Sequence, residues 1–153
     1  MRSARLESSG YNSTAVHLDL DHQNRVIVEH LRRIFDGLVA VYRFGSTAQG
    51  TATSASDADI AVLVPKRIAP ERRFDTQEAL AAEIGRDVDL VDLAGASPVM
   101  AIQVITSGDL LYDGDSDARG RFEDLTFGAY ARLNEERRGI LERIASEGTV
   151  YGR

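Results

Sequence analysis

Asp57 and Asp59 stand two residues apart where an apolar run begins. Ten residues separate Asp57 from Ser46, in the Gly45-Ser46 pair that closes an earlier apolar run. On a strand, side chains alternate between faces, so both carboxylates project the same way. Two hard oxygen ligands at that spacing can share Mg²⁺ and leave coordination positions for water and triphosphate oxygens. Gly45 has no Cβ, so the backbone can turn sharply there and a phosphate can come close. Ser46 offers a hydroxyl and a backbone N–H at the start of a short helical turn through Gln49, a terminus that favours anions. Alone, a Gly-Ser turn is only a turn, and an Asp-x-Asp in a Ser-rich loop is solvated or caps a helix. Set together between two apolar strands, they predict chemistry on a nucleotide.

A second metal needs a third carboxylate from a neighbouring strand, and residues 87–93 supply Asp87, Asp89 and Asp92. Asp89 lies between Val88 and Leu90, where a lone carboxylate is costly to bury unless paired or bound to metal. Asp92 is three residues on and faces the other side of a regular strand. Asp87 shares the parity of Asp89 but sits at the strand's start. The order of preference is therefore Asp89, Asp92, Asp87. Such a set of acids can activate an attacking hydroxyl and stabilise a departing pyrophosphate.

The elements that must position these residues follow from periodicity. Ile27, Leu31, Ile34, Phe35 and Leu38 recur at helical spacing, which predicts a helix over about 20–36 closed by Gly37. Strands are expected over 38–44, 60–64, 87–93 and 110–112. Helices are expected over 70–84, stopped by Gly85, over 98–107 with Ser97 as N-cap and Pro98 at the first helical position, and over 116–147. Residues 1–18 are polar and read as a flexible arm, leaving 19–153 as a single domain with a C-terminal helical segment over about 115–147. That segment carries Phe122, Leu125, Ala129, Leu133, Ile140, Leu141 and Ile144 on one stripe. Gly120, Gly128 and Gly139 each cost it about 1 kcal/mol relative to alanine, so it is expected to need a partner surface or to bend. Helices alternating with strands over one sheet give an α/β fold class. The connection from Gly45 to Ala58 is too long for a tight hairpin, and long loops in compact domains are often functional.

A length of 153 residues suffices for one domain with a real core. The net charge of −6 argues against a large nucleic-acid footprint, which needs clustered Lys and Arg. Cysteine is absent, which excludes disulfides and thiolate metal sites and suits a reducing cytoplasm. No signal-peptide core follows Arg2 and Arg5, and no run reaches membrane-span length, so a cytoplasmic location is expected. His17, His22 and His30 form no metal-ligand cluster, and His22 and His30 are expected on a solvated helix face. The pairs Arg72-Arg73 and Arg137-Arg138 are expected on solvated faces too, and Tyr112 and Tyr130 in core or interface.

Gly45-Ser46, Asp57, Asp59 and Asp89 resemble the signature of the DNA polymerase β-type nucleotidyltransferase superfamily, in particular its minimal nucleotidyltransferases. Residues 85–93, Ser97-Pro98, residues 108–112 and residues 130–138 are similar to MntA-type antitoxins, a likeness that spans roughly residues 25–147. The resemblance implies a mixed sheet with packed helices and a long C-terminal helix. It implies transfer of AMP from ATP, with two Mg²⁺ ions, to a tyrosine of a cognate HEPN-type toxin, an RNase silenced by the modification. Asp57, Asp59 and Asp89 would be catalytic metal ligands, and Gly45 and Ser46 would hold triphosphate oxygens. Family members often carry Arg or Lys where this chain has Gln49, which implies slower transfer or reliance on Arg43 or Arg86. The core consumes residues 25–112 and leaves little chain for a small-acceptor domain, so an acceptor carried by another protein is expected. Two alternatives stay open: transfer to a small hydroxylated molecule such as an aminoglycoside, and a non-catalytic antitoxin that acts by occlusion.

Overall fold

Strand β1 (Ala40–Phe44) pairs antiparallel with β2 (Ala58–Leu63), with Phe44 opposite Asp59, so the long connection leaves and rejoins the sheet at one end. The computed structural model describes the backbone of residues 9–45 and 57–151, and the side chains of residues 19–45 and 57–147. β3 (Val88–Asp92) lies parallel to β2, and β4 (Asp109–Asp113) lies antiparallel to β1, giving the order β3-β2-β1-β4. Such a parallel pair needs a crossover, and α2 (Pro70–Ile84) supplies it. The expected mixed sheet is therefore present.

Alternation along the strands sorts the core into two layers. Val41, Ile60, Val62 and Leu90 pack with Ile27 and Leu31 of α1 (Ser9–Ile34) and Leu80 of α2. Ala40, Tyr42, Phe44, Ala61 and Leu63 pack on the other face with Ala101 and Val104 of α3 (Pro98–Ser107). Ala118 and Phe122 of α4 (Ser116–Tyr151) join that second layer. Tyr42 donates to Glu123 at 3.0 Å, and Arg119 bridges Glu123 at 2.8 Å and Asp113 at 3.1 Å, fastening the start of α4 to the sheet. Burial, helped by Glu123, raises the Tyr42 hydroxyl, which stays a donor.

Several expectations need correction. α1 begins at Ser9, so residues 9–18 are helical backbone rather than arm; residues 1–8 lie outside the described residues. The polar segment Tyr11–Leu18 holds no proline or glycine, and polarity alone does not break a helix. His30 is buried rather than solvated, and its Nδ1 contacts Glu83 of α2. Arg72 and Arg73 are also engaged. Arg72 donates to the Ile34 carbonyl at 2.7 Å, closing the end of α1, and Arg73 donates to the Leu90 carbonyl at 3.0 Å. Gln77 accepts from the Leu90 N–H at 2.8 Å, so α2 covers the open edge of β3 that would otherwise invite strand addition. α4 runs unbroken through Gly120, Gly128 and Gly139.

Candidate active site

Gly37, Gly45 and Gly85 are the described glycines with positive φ, and Gly45 sits where β1 ends. Its φ is +76°, and a Cβ built there would overlap the Asp59 carboxylate. Glycine is thus required twice, by the left-handed turn and by the acid packed against it. Ser46 and Gln49 lie outside the described residues. Asp57 is exposed just ahead of β2, and Asp59, the second residue of β2, is half-buried.

Asp59 and Asp89 are register partners across the parallel β2–β3 pair, so their side chains share a face. By alternation this is the α3 face, opposite Ile60 and Leu90. Burial raises the Asp59 carboxyl first, and the negative charges of Asp89 and then Asp57 raise it further. Arg43 opposes these effects. Asp87 stands one residue ahead of β3, its carbonyl accepting from the Ala58 N–H at 2.8 Å, and Asp92 lies at the far end of that strand. Asp92 is buried and engaged: it accepts from the Ile68 N–H at 2.8 Å and from the Ala94 N–H at 3.2 Å, fixing the turn after β3. Asp92→Ala is expected to cost about 1–3 kcal/mol of stability by stranding the Ile68 N–H, read as a lowered denaturation midpoint with an unchanged slope.

Arg43 fills the back of the same strand end. It is 1% exposed, and its guanidinium donates to Asn24 at 2.7 Å and Gln23 at 3.2 Å on α1. Burial, then the nearby Arg86, lowers it to about 10. Its contacts lie on the α1 side, so it acts on Asp59 as a buried charge rather than as a phosphate ligand. Arg86 is half-buried just ahead of β3, close enough to lower Arg43 by like-charge repulsion. Neither the buried Arg43 nor the edge-covering pair Arg73 and Gln77 had been singled out for these contacts. Arg43 was visible as a charge inside an apolar strand, but only α1's position reveals its partners.

The donor set suits Mg²⁺. Asp57, Asp59 and Asp89 offer hard carboxylate oxygens at one strand end, and the repulsion that, after burial, raises Asp59 is what a divalent cation would relieve. Among the described residues no three His, Cys, Asp or Glu side chains are grouped closely enough to hold a metal ion by themselves. An open arrangement is what nucleotide-dependent Mg²⁺ sites use, with water and phosphate oxygens completing the shell.

Comparison with known proteins places the chain in a family. The family described as Polymerase beta, Nucleotidyltransferase matches residues 27–117. The protein adenylyltransferase MntA of Shewanella oneidensis is 37% identical over 118 residues, covering 77% of this chain and 84% of that relative. A chain from the crystal structure of a toxin–antitoxin with AMP-PNP superposes with a TM-score of 0.72 and 36% identity, over 80% of this chain and 98% of that one. A chain from the structure of the tri-AMPylated Shewanella oneidensis HEPN toxin in complex with MNT antitoxin gives 0.69 and 32%, over 82% and 98%.

Proposed function

The chain belongs to the polymerase beta nucleotidyltransferase family, and on that footing we propose that it is an antitoxin-type protein adenylyltransferase. It transfers AMP from ATP to a tyrosine hydroxyl of a cognate HEPN-type toxin and so neutralises it. The observation that carries this reading is the register pairing of Asp59 with Asp89 beside the Gly45 turn. It is supported by the likeness to MntA and to structures that hold AMP-PNP or an AMPylated toxin.

Asp57, Asp59 and Asp89 would hold Mg²⁺, in the two-ion arrangement that three acids allow. When bound, the metal supplies charge stabilisation to the phosphates and the departing pyrophosphate. Gly45, with Ser46 after it, keeps the backbone close enough for triphosphate oxygens to approach. Asp89 accepts the proton of the attacking hydroxyl, and Arg43 steadies Asp59 from behind. No described helix is long and apolar enough to cross a membrane, and the expected cytoplasmic setting is that of an intracellular toxin.

The test is label transfer to the neighbouring gene product in the presence of Mg²⁺. ATP labelled at the α-phosphorus is expected to mark that protein, and ATP labelled at the γ-phosphorus is not. Label from the γ position, or none from either, would refute the reading.

Beyond Thr126, α4 exposes Leu133, Ile140, Leu141 and Ile144, while Phe122 and Thr126 are covered by the protein's own core. The helix thus packs on its own domain at the start and offers a docking face for the toxin farther along. Ile140→Glu with Ile144→Glu is expected to weaken the toxin complex at least about tenfold, measured by calorimetry, and to leave the melting temperature within a few degrees.

A further inference from the structure

Strand β1 carries a single ionised side chain, and it is buried without an acid against it. All five residues from Ala40 to Phe44 are buried, Arg43 among them. Two neutral amides hold its guanidinium: Asn24 Oδ1 accepts at 2.7 Å and Gln23 Oε1 at 3.2 Å. Gln23 is fixed in that orientation because its own amide N–H donates to Asp19 at 2.6 Å. Among the described residues no carboxylate lies within ion-pair distance of Arg43. Its Nε is buried and meets no acceptor. A buried charge with neutral partners is costly, and salt screens its field much less than that of a surface charge.

That field reaches the acids. On β2, Arg43 is level with Ile60, the neighbour of Asp59, and Phe44 is level with Asp59 itself. The guanidinium lies on the α1 face and Asp59 on the α3 face, so the sheet stands between them and they do not pair. Arg86 opposes the cation, and Asp19, Asp59 and Asp109 favour it. Asp19 and Asp109 are exposed, where water screens them, whereas Asp59 is half-buried. Asp59 therefore feels Arg43 through protein rather than through water. Burial and then Arg86 lower Arg43 only to about 10, so it keeps its proton at neutral pH.

We propose that Gln23 and Asn24 hold Arg43 with neutral oxygens so that its charge stays uncompensated behind the acids, where it weakens the binding of free Mg²⁺ and draws the triphosphate, and that Mg²⁺ consequently enters with the nucleotide rather than ahead of it. The proposal rests on the adenylyltransferase reading above and makes Arg43, Gln23 and Asn24 positioning residues. A cation arriving alone meets a buried positive charge and acids too widely spaced to hold it by themselves. A triphosphate has the opposite sign and brings the oxygens that those acids lack. Free Mg²⁺ then fills the site only at high concentration, whereas Mg²⁺ carried on a triphosphate does so at a lower one.

Two titrations test this, each followed by calorimetry and by melting temperature: Mg²⁺ without nucleotide, and ATP with EDTA. Arg43→Met is expected to bind Mg²⁺ at least about tenfold more tightly than the unaltered chain and ATP at least about tenfold more weakly. Arg43→Lys keeps the charge and should hold both affinities within about threefold of the unaltered values. Asn24→Asp leaves Arg43 in place but gives it an ion pair. It should move the two affinities in the same crossed directions, by at least about threefold, and it decides the matter if Arg43→Met does not fold. A merely structural Arg43 would weaken both ligands together. Both affinities falling in Arg43→Met, neither moving in Asn24→Asp, or Arg43→Lys behaving as Arg43→Met would each overturn the proposal. An unaltered chain that binds ATP only with Mg²⁺ overturns it alone; one that binds no ATP even with Mg²⁺ takes the adenylyltransferase reading with it.

Discussion

Asp59→Asn is expected to lower AMP transfer by at least about a thousandfold, because a metal ligand worth several kcal/mol of transition-state charge stabilisation is removed. The same substitution is expected to stabilise the metal-free protein. Asp59 is raised by burial first and then by Asp89 and Asp57, so the folded chain holds that proton more tightly than the unfolded chain does. A raised folded pKa contributes stability that is fully present below the unfolded carboxylate value and is lost as pH rises through the folded one. At neutral pH the wild type therefore carries a charge its fold disfavours, and asparagine does not. The gap in melting temperature between Asp59→Asn and wild type should widen from acid to neutral pH, at about 2–4 °C per kcal/mol for a chain of this size. Mg²⁺ should close it by raising the wild type alone. A variant that loses both activity and stability would point to a structural Asp59.

Gly45→Ala should be nearly as damaging by a different route. The left-handed backbone costs any L-residue about 1–2 kcal/mol, and the new Cβ drives against the Asp59 carboxylate. Displacing a reacting group by about 1 Å is enough for a loss of roughly a hundredfold in rate. Gly85 gives the control, with φ +70° and nothing within 4 Å of a built Cβ. Gly85→Ala should share the stability cost and spare catalysis. Single-turnover rates with melting curves for both variants separate strain from collision, and equal loss of rate in the two would deny Gly45 its special contact.

Much of the site was legible in the chain because it is local. Two acids two apart on a strand must share a face, and Gly45 before them marks a turn that side chains disfavour. The choice between Asp89 and Asp92 rested on parity and on an expected burial of Asp89; Asp89 is in fact exposed but level with Asp59, while Asp92 is the buried one, held by the Ile68 and Ala94 amides. Helix α2 and the start of α3 were readable from Pro70, Gly85, Ser97 and Pro98, residues whose backbone preferences act at short range. Contacts between elements distant in sequence were not legible. His30 and Glu83 meet only because α1 and α2 lie side by side, and Arg43 finds Gln23 and Asn24 only across the α1 interface. The helix of residues 9–18 was not legible because Gly10 and the polar Asn12, Ser13 and Thr14 read locally as loop, although nothing from Tyr11 to Leu18 breaks a helix.

The most direct measurement is the intact mass of the partner toxin after incubation with this chain, ATP and Mg²⁺, beside a parallel reaction with Asp59→Asn. The account predicts mass increments of whole adenylate units on the toxin's tyrosine with the unaltered chain, and none with the variant. Neutralisation of the toxin at unchanged mass, or equal adducts from both proteins, would contradict it.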